Sequence, residues 1–364
     1  MKVLVLSNCP LAESQGSGYV IINTARCLES QGHEVRLVGP EELSLFDFLG
    51  NTARIYRTIL GMTWWTLIHN LKKYDFIIFY GAECFISLHI IKNILRIKIP
   101  VLLHSNGLEL WVDDFMKKNQ LIENKKWYHF NLSKYFKYCY NNVDVLLTVS
   151  KEQYDYAIDI LKINKDKVFY NNLALPDLYF ESVNSIEKQK IITYCGGWLS
   201  RKGVIPMVKA LEIILIKYPE YSFRLIGVGN QFDINEHFSS EVIASVELIP
   251  FVQNKVDLMN LYQESEIFLF PSQIESFGLV LAEAMYCGCA AITGDTGFAA
   301  ELINREEAIV LDQVNKETIT GALELLINDS HLRNKISNKG QIKVSELTWE
   351  NFNLQLQSII NNVK

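Results

Sequence analysis

Two consecutive α/β domains, each a parallel sheet layered with helices, are the fold class that this sequence predicts. Three observations point there. A strand, a glycine-bearing loop, a helix and a second strand follow one another up to Val38, and a second series of the same kind starts at Ile191. The chain of 364 residues is also longer than one hydrophobic core usually organises.

In the first series Val3 to Ser7 reads as a buried strand and Glu13 to Gly18 as a polar loop. Tyr19 to Ser30 then carries Val20, Ile21, Thr24, Ala25 and Leu28 at helical spacing; Gly32 stops that helix and Glu34 to Val38 supplies the next strand. Phe76 to Tyr80, Val101 to His104, Val145 to Val149 and Lys167 to Tyr170 continue the pattern as short apolar runs. The polar stretch from Tyr179 to Lys190 is the expected linker, giving a first domain over residues 1–185.

The second domain is expected over 186–345. Ile191 to Cys195 reads as a strand, Gly196 to Gly203 as a loop, Val204 to Lys217 as a helix and Tyr221 to Ile226 as a strand. Ile267 to Phe270 and Ala290 to Thr293 are further strands, with a helix from Phe277 to Tyr286 between them. Residues 346–364 form a closing helix, with Phe352, Leu356, Ile359 and Val363 on one face, that packs back on the first domain.

Composition narrows the function. A net charge of −6 gives no general attraction to nucleic acid. Seven scattered cysteines without metal-ligand spacing suggest a reducing compartment and no metal site. The opening apolar run is too short for a secretory leader, and no apolar stretch is long enough to span a bilayer. A cytoplasmic protein with at most peripheral contact at the inner face of a membrane is the expectation.

Three loops carry residues suited to chemistry. Gly16-Ser17-Gly18 precedes a helix whose amides can face an anion, although a tight turn explains it equally well. In Gly196-Gly197-Trp198-Leu199-Ser200-Arg201-Lys202-Gly203, Arg201 and Lys202 suit a diphosphate, or else form a solvated charge pair. In the run from Glu275 to Glu283, Gly278 permits close backbone approach and the two carboxylates can bind separate hydroxyls of a polyol. Glu283 stands among apolar residues and needs partners. His104 and Asn106 end a first-domain strand, where a histidine can donate a hydrogen bond or share a proton, or simply fill the core.

With Phe270-Pro271-Ser272 followed by Glu275 through Glu283, the sequence resembles the retaining glycosyltransferases of family four, over nearly the whole chain. The resemblance implies the GT-B fold, with two Rossmann-like α/β/α domains facing across a cleft, and no cofactor. It implies that Glu283 binds donor ribose hydroxyls and Glu275 the transferred sugar, with backbone around Phe277, Gly278 and Leu279 assisting. Lys202 matches the family's lysine. Gly197 occupies the place of its usual arginine, so Arg201 is the candidate to supply that charge from a shifted position. Gly16 and Gly18 resemble the family's first-domain donor loop; His104 and Asn106 compete for the place of its histidine; Thr296-Gly297 and Glu301-Leu302 resemble the segment after the two glutamates. The implied partners are a nucleotide diphosphate sugar donor, held mainly by the second domain, and a hydroxyl acceptor on a glycan or lipid-linked saccharide at the first. Lys202 would meet the leaving diphosphate's charge while Glu275 and His104 serve the transfer step.

The stretch Phe115 to Tyr140 sets six lysines against one glutamate among several aromatics. It fits either a membrane surface holding a lipid-linked or anionic acceptor, or an ordinary helix over its sheet. A noncatalytic nucleotide-sugar-binding scaffold, an epimerase and a phosphorylase of related fold stand as alternative functions.

Overall fold

The structure is a computed structural model that describes residues 1–44, 54–121, 132–181, 186–229 and 232–363. It forms two compact units, Met1–Leu173 with Glu350–Lys364 and Ala174–Trp349.

Unit 1 contains β1 (Lys2–Ser7), α1 (Gly16–Ser30), β2 (Glu34–Val38), α2 (Arg54–Ile68), β3 (Phe76–Tyr80), α3 (Phe85–His89), β4 (Val101–His104), α4 (Glu109–Lys118), α5 (Ser133–Asn142), β5 (Val145–Thr148), α6 (Lys151–Asp155) and β6 (Val168–Tyr170). The strands make one sheet in the order β2-β1-β3-β4-β5-β6, with every pair parallel. A parallel sheet is covered on both faces, so its inner strands are apolar at successive positions and do not alternate. Accordingly all residues of β3, β4 and β5 are buried.

Unit 2 contains α7 (Leu178–Glu181), β7 (Gln189–Cys195), α8 (Val204–Lys217), β8 (Ser222–Ile226), β9 (Val246–Ile249), α9 (Lys255–Glu264), β10 (Ser265–Phe270), α10 (Leu279–Tyr286), β11 (Ala290–Gly294), β12 (Ile309–Leu311), α11 (Lys316–Asn328) and α12 (Ser330–Val344). Its sheet runs β9-β8-β7-β10-β11-β12, again parallel throughout. The chain therefore builds outward from β7, crosses back and builds the other way from β10. Right-handed crossovers then place helices on both faces. In agreement, α8 packs with α11 while α10 packs with α9 and α12.

Helix α13 (Trp349–Asn361) closes the chain. It buries Phe352, Leu356, Ile359 and Ile360; Val363, expected on that face, lies beyond the helix end. Asn171 Nδ2 donates to Phe352 O at 2.9 Å and Gln31 Nε2 to Asn353 Oδ1, both within unit 1. The compact units change over after Leu173, ahead of the expected 185/186 boundary, and after Trp349 instead of 345/346. Leu175 N donates to Leu347 O at 2.8 Å, which ties the segment before β7 to the end of unit 2. Part of the expected linker, residues 182–185, lies outside the described residues.

Candidate functional site

In an open parallel sheet ligands bind beyond the carboxyl ends of the strands, at the point where the strand order reverses. In unit 2 that point lies between β7 and β10, and the loops leaving these strands hold most of the expected site residues.

The loop after β7 folds back as a single turn at Ser200–Lys202, and Gly203 follows with φ +68°. A Cβ on Gly203 would stand 2.1 Å from Pro271 O, so a side chain there would push the β7 and β10 loops apart. Gln273 N donates to Arg201 O at 2.9 Å and holds them together. Lys202 Nζ then meets Glu275 Oε1 at 2.7 Å, with both side chains only 13% exposed. Ser272 Oγ donates to the same oxygen at 3.0 Å, and Lys202 Nζ lies over the Phe270 ring at 5.2 Å. Arg201 does not join this pair closely. Its guanidinium donates to Ile274 O at 3.2 Å and stays 3.9 Å from Glu275 Oε1.

From the other side, Glu275 N donates to Thr296 Oγ1 at 3.1 Å and Phe298 N to Phe277 O at 2.9 Å. Gly297 fits between them with φ +62°, where a Cβ would stand 2.7 Å from Phe277 O and 2.8 Å from Glu275 O. Phe277 is buried and its ring lies 5.3 Å from that of Phe298. Phe277 and Gly278 were expected inside the following helix, but α10 begins at Leu279 with Gly278 at its N-cap. The first amides of α10 therefore form the positive end of a helix dipole beside the Lys202–Glu275 pair. Gly197 stands in open space in the β7 loop.

Glu283, in α10, is 1% exposed. Lys255 Nζ, from the first turn of α9, meets Glu283 Oε1 at 2.8 Å; the other oxygen is enclosed without a hydrogen-bond partner among the described residues. The loops after β7 and β10, with helices α9 and α10, thus offer three cations, Arg201, Lys202 and Lys255, and two carboxylates, Glu275 and Glu283. One carboxylate has an unused acceptor oxygen. Lys255 and Ser272 are the partners that sequence reading missed. A buried glutamate signals that a cation must lie nearby, but not which one.

In unit 1 the order reverses between β1 and β3. Gly16 and Gly18 lie in the first turn of α1, not in a loop, because the helix starts three residues earlier than its apolar pattern. Asn8 Nδ2 donates to Glu83 Oε2 at 3.0 Å, and Glu109 accepts from Ala82 N at 3.0 Å and from the Tyr140 hydroxyl. Burial, then the charge of Glu109, pushes Glu83 up to about 7, and burial raises Glu109 as well. Sequence reading passed over this carboxylate pair. The His104 ring stacks on Tyr80 with centroids 4.6 Å apart, as their paired positions on β4 and β3 dictate. Burial pulls its pKa down to about 3, so the imidazole is neutral at physiological pH. Neither of its ring nitrogens, nor either side-chain polar atom of Asn106, has a partner among the described residues.

Comparison with known proteins agrees with this architecture. Residues 14–170 match the family described as Glycosyltransferase Family 4, and residues 177–343 that described as Glycosyl transferases group 1. The capsular polysaccharide biosynthesis glycosyltransferase CapM of Staphylococcus aureus is 27% identical over 243 residues, which span 56% of this chain and 62% of that protein. Among solved structures, sucrose-phosphate synthase from Thermosynechococcus elongatus superposes with a TM-score of 0.75 at 14% identity, covering 100% of this chain and 99% of that one. The HepE protein of Anabaena in complex with UDP-glucose superposes with a TM-score of 0.69 at 14% identity over 99% of each chain. With two Rossmann-like α/β units, each matched by a glycosyltransferase family, the chain belongs to the GT-B-fold glycosyltransferase superfamily.

Proposed function

We propose that the protein is a retaining glycosyltransferase of family four that takes a sugar from a nucleotide diphosphate donor held at the β7–β10 loops of unit 2. The observation that carries this reading is the pairing of Lys202 with Glu275 beside the N-terminus of α10, one helical span from the enclosed, half-satisfied carboxylate of Glu283. Glu283 offers its unused oxygen to the ribose hydroxyls. Glu275, oriented by Ser272 and Lys202, accepts from a hydroxyl of the transferred sugar. The diphosphate lies against Lys202 and the α10 amides, with Arg201 lending charge from the rim, so negative charge growing on the leaving group meets preorganised donors. The acceptor oxygen bonds to the anomeric carbon on the face from which the diphosphate departs, the bond from that carbon to the diphosphate oxygen breaks, and the acceptor's hydroxyl proton passes to the departing phosphate oxygen.

His104, neutral in its buried setting, acts as a hydrogen-bonding group and not as a charged acid. The acceptor reading rests on unit 1. A pocket of about 550 Å³ there has Arg54 and Arg57 in its lining, which suits a phosphate-bearing, lipid-linked saccharide. CapM, named for capsular polysaccharide biosynthesis, supports a glycan product.

The test is a panel of nucleotide sugars screened by thermal shift, followed by transfer assays with the best donor and analysis of the product anomer. Glu275→Gln should lower kcat by about 100-fold or more while free nucleotide still binds. An unchanged rate, or an inverted linkage, would overturn the assignment.

A further inference from the structure

Helix α2 is apolar on two faces. Ile59, Met62 and Trp65 turn inward and are buried. Leu60, Trp64, Leu67 and Ile68 form a second stripe, and they are 39%, 44%, 56% and 55% exposed. A surface helix ordinarily presents charged or polar residues on its outer side. The exposed isoleucines of α8, Ile205, Ile213 and Ile216, obey that rule by alternating with Lys209 and Glu212. On α2 no charged residue intervenes between Arg57 and Lys72.

Basic residues stand nearest this stripe: exposed Lys72 and Lys73 follow it directly, ahead of Asp75, and Arg57 precedes Leu60 on the same helix. From Phe48 to Tyr74 the sequence contains Arg54, Arg57, Lys72 and Lys73 and no aspartate or glutamate, in a chain whose net charge is −6. The neighbouring elements repeat the pattern. Helix α3 packs against α2, and the chain beyond it exposes Ile94 and Leu95, followed by exposed Arg96 and Lys98. No acidic residue lies between Cys84 and Leu108. Helix α5 packs on α3, its Tyr135 stacked on Phe85 at 5.0 Å, and it exposes Lys134, Tyr135 and Lys137.

An apolar stripe bearing a tryptophan and bounded by cations matches the chemistry of an anionic lipid surface. The apolar side chains enter the headgroup–acyl boundary, tryptophan is favoured at that depth, and the basic residues pair with lipid phosphates. A symmetric contact with a second copy would set Arg54, Arg57, Lys72 and Lys73 against their own images, which like-charge repulsion opposes. No described helix is long and apolar enough to cross a membrane. We propose that unit 1 docks on anionic bilayers through the outer face of α2, with Trp64, Leu67 and Ile68 as the inserted residues and the Ile94–Lys98 turn and α5 alongside. This places the contact chiefly on α2; of the expected 115–140 segment, residues 122–131 lie outside the described residues. The inference does not depend on the donor site in unit 2.

The experiment is flotation of the full chain with vesicles of phosphatidylcholine alone, or with about 30% phosphatidylglycerol, at low and raised salt. The native chain should float with the anionic vesicles, at least about tenfold more tightly than with neutral ones, and should weaken as salt rises. Trp64→Ser/Leu67→Ser/Ile68→Ser alters only exposed side chains and should keep the circular dichroism of the native chain while losing about tenfold or more in vesicle binding. Lys72→Gln/Lys73→Gln should remove part of the salt-sensitive component. Native protein that ignores anionic vesicles, or a triple variant that binds them like the native chain, overturns the proposal. A native dimer that the triple variant converts to monomer, with no vesicle binding by either, overturns it in favour of a second copy.

Discussion

Replacing Lys255 by methionine keeps the aliphatic stem and removes the cation that stands 2.8 Å from Glu283 Oε1. The glutamate is left 1% exposed, with its second oxygen already unpartnered among the described residues. Breaking a fully buried ion pair by removing one partner destabilises by about 3–5 kcal/mol. The Lys255 side chain is 27% exposed, so water recovers part of that, and about 2–3 kcal/mol is the expected loss. For a unit of this size that corresponds to a fall of roughly 4–12 °C in its melting transition. Glu283→Gln removes the charge but keeps the shape, and should cost less, about 1 kcal/mol. The double variant should then be no worse than Lys255→Met alone, because neutral glutamine no longer needs the cation. The assay is a double-mutant cycle read by urea denaturation of the unit 2 transition, and the expected coupling is about 1–2 kcal/mol. Additive losses, within about 0.5 kcal/mol, would refute the view that Glu283 is held in place by Lys255.

Gly203→Ala must place a methyl group 2.1 Å from Pro271 O at a φ of +68°; it should destabilise unit 2 by about 2 kcal/mol or more and weaken donor binding, measured by thermal melting with and without nucleotide. His104 titrates at about 3 in the folded chain against an ordinary value of 6.5, because burial disfavours its charged form. Below pH 6.5 the unfolded chain takes up a proton that the folded chain refuses, so stability contributed by this residue is lost as pH falls from 6.5 towards 3. The loss approaches about 1.4 kcal/mol per pH unit. His104→Leu should flatten that part of the profile for unit 1, and denaturation series at pH 6 and pH 4 with equal slopes for both proteins would contradict the assignment.

The sheet strands were legible because parallel strands buried on both faces leave unbroken apolar runs, as in Phe76–Tyr80 and Val145–Thr148. Among the described residues two strands escaped notice. Val246–Ile249 is a half-exposed edge strand with a glutamate inside it, and Ile309–Leu311 is only three residues long. The start of α1 was read late because Gly16 and Ser17 carry no apolar pattern, yet Gly18 sits where a Cβ would meet Ala12 O at 2.4 Å. Domain limits depend on contacts such as Leu175 with Leu347, which local composition does not announce. At the site, the loop positions of Lys202 and Glu275 followed from strand ends and glycines, and that of Glu283 from the helix read after them. Their partners did not: Lys255 approaches Glu283 from another helix, and the reversal of strand order that gathers the loops is a property of the sheet. The unpartnered outer face of α2 was missed for a related reason. An apolar helix reads as core until the structure shows which side is covered.

A crystal structure of the protein with an intact nucleotide diphosphate sugar decides whether unit 2 holds the donor at these loops. The expected complex has ribose hydroxyls within hydrogen-bonding distance of the free oxygen of Glu283, the diphosphate against Lys202 and the first amides of α10, and a sugar hydroxyl on Glu275. A donor seated elsewhere, with the Lys202–Glu275 and Lys255–Glu283 pairs remote from it, would contradict the account and leave these pairs as supports of the fold alone.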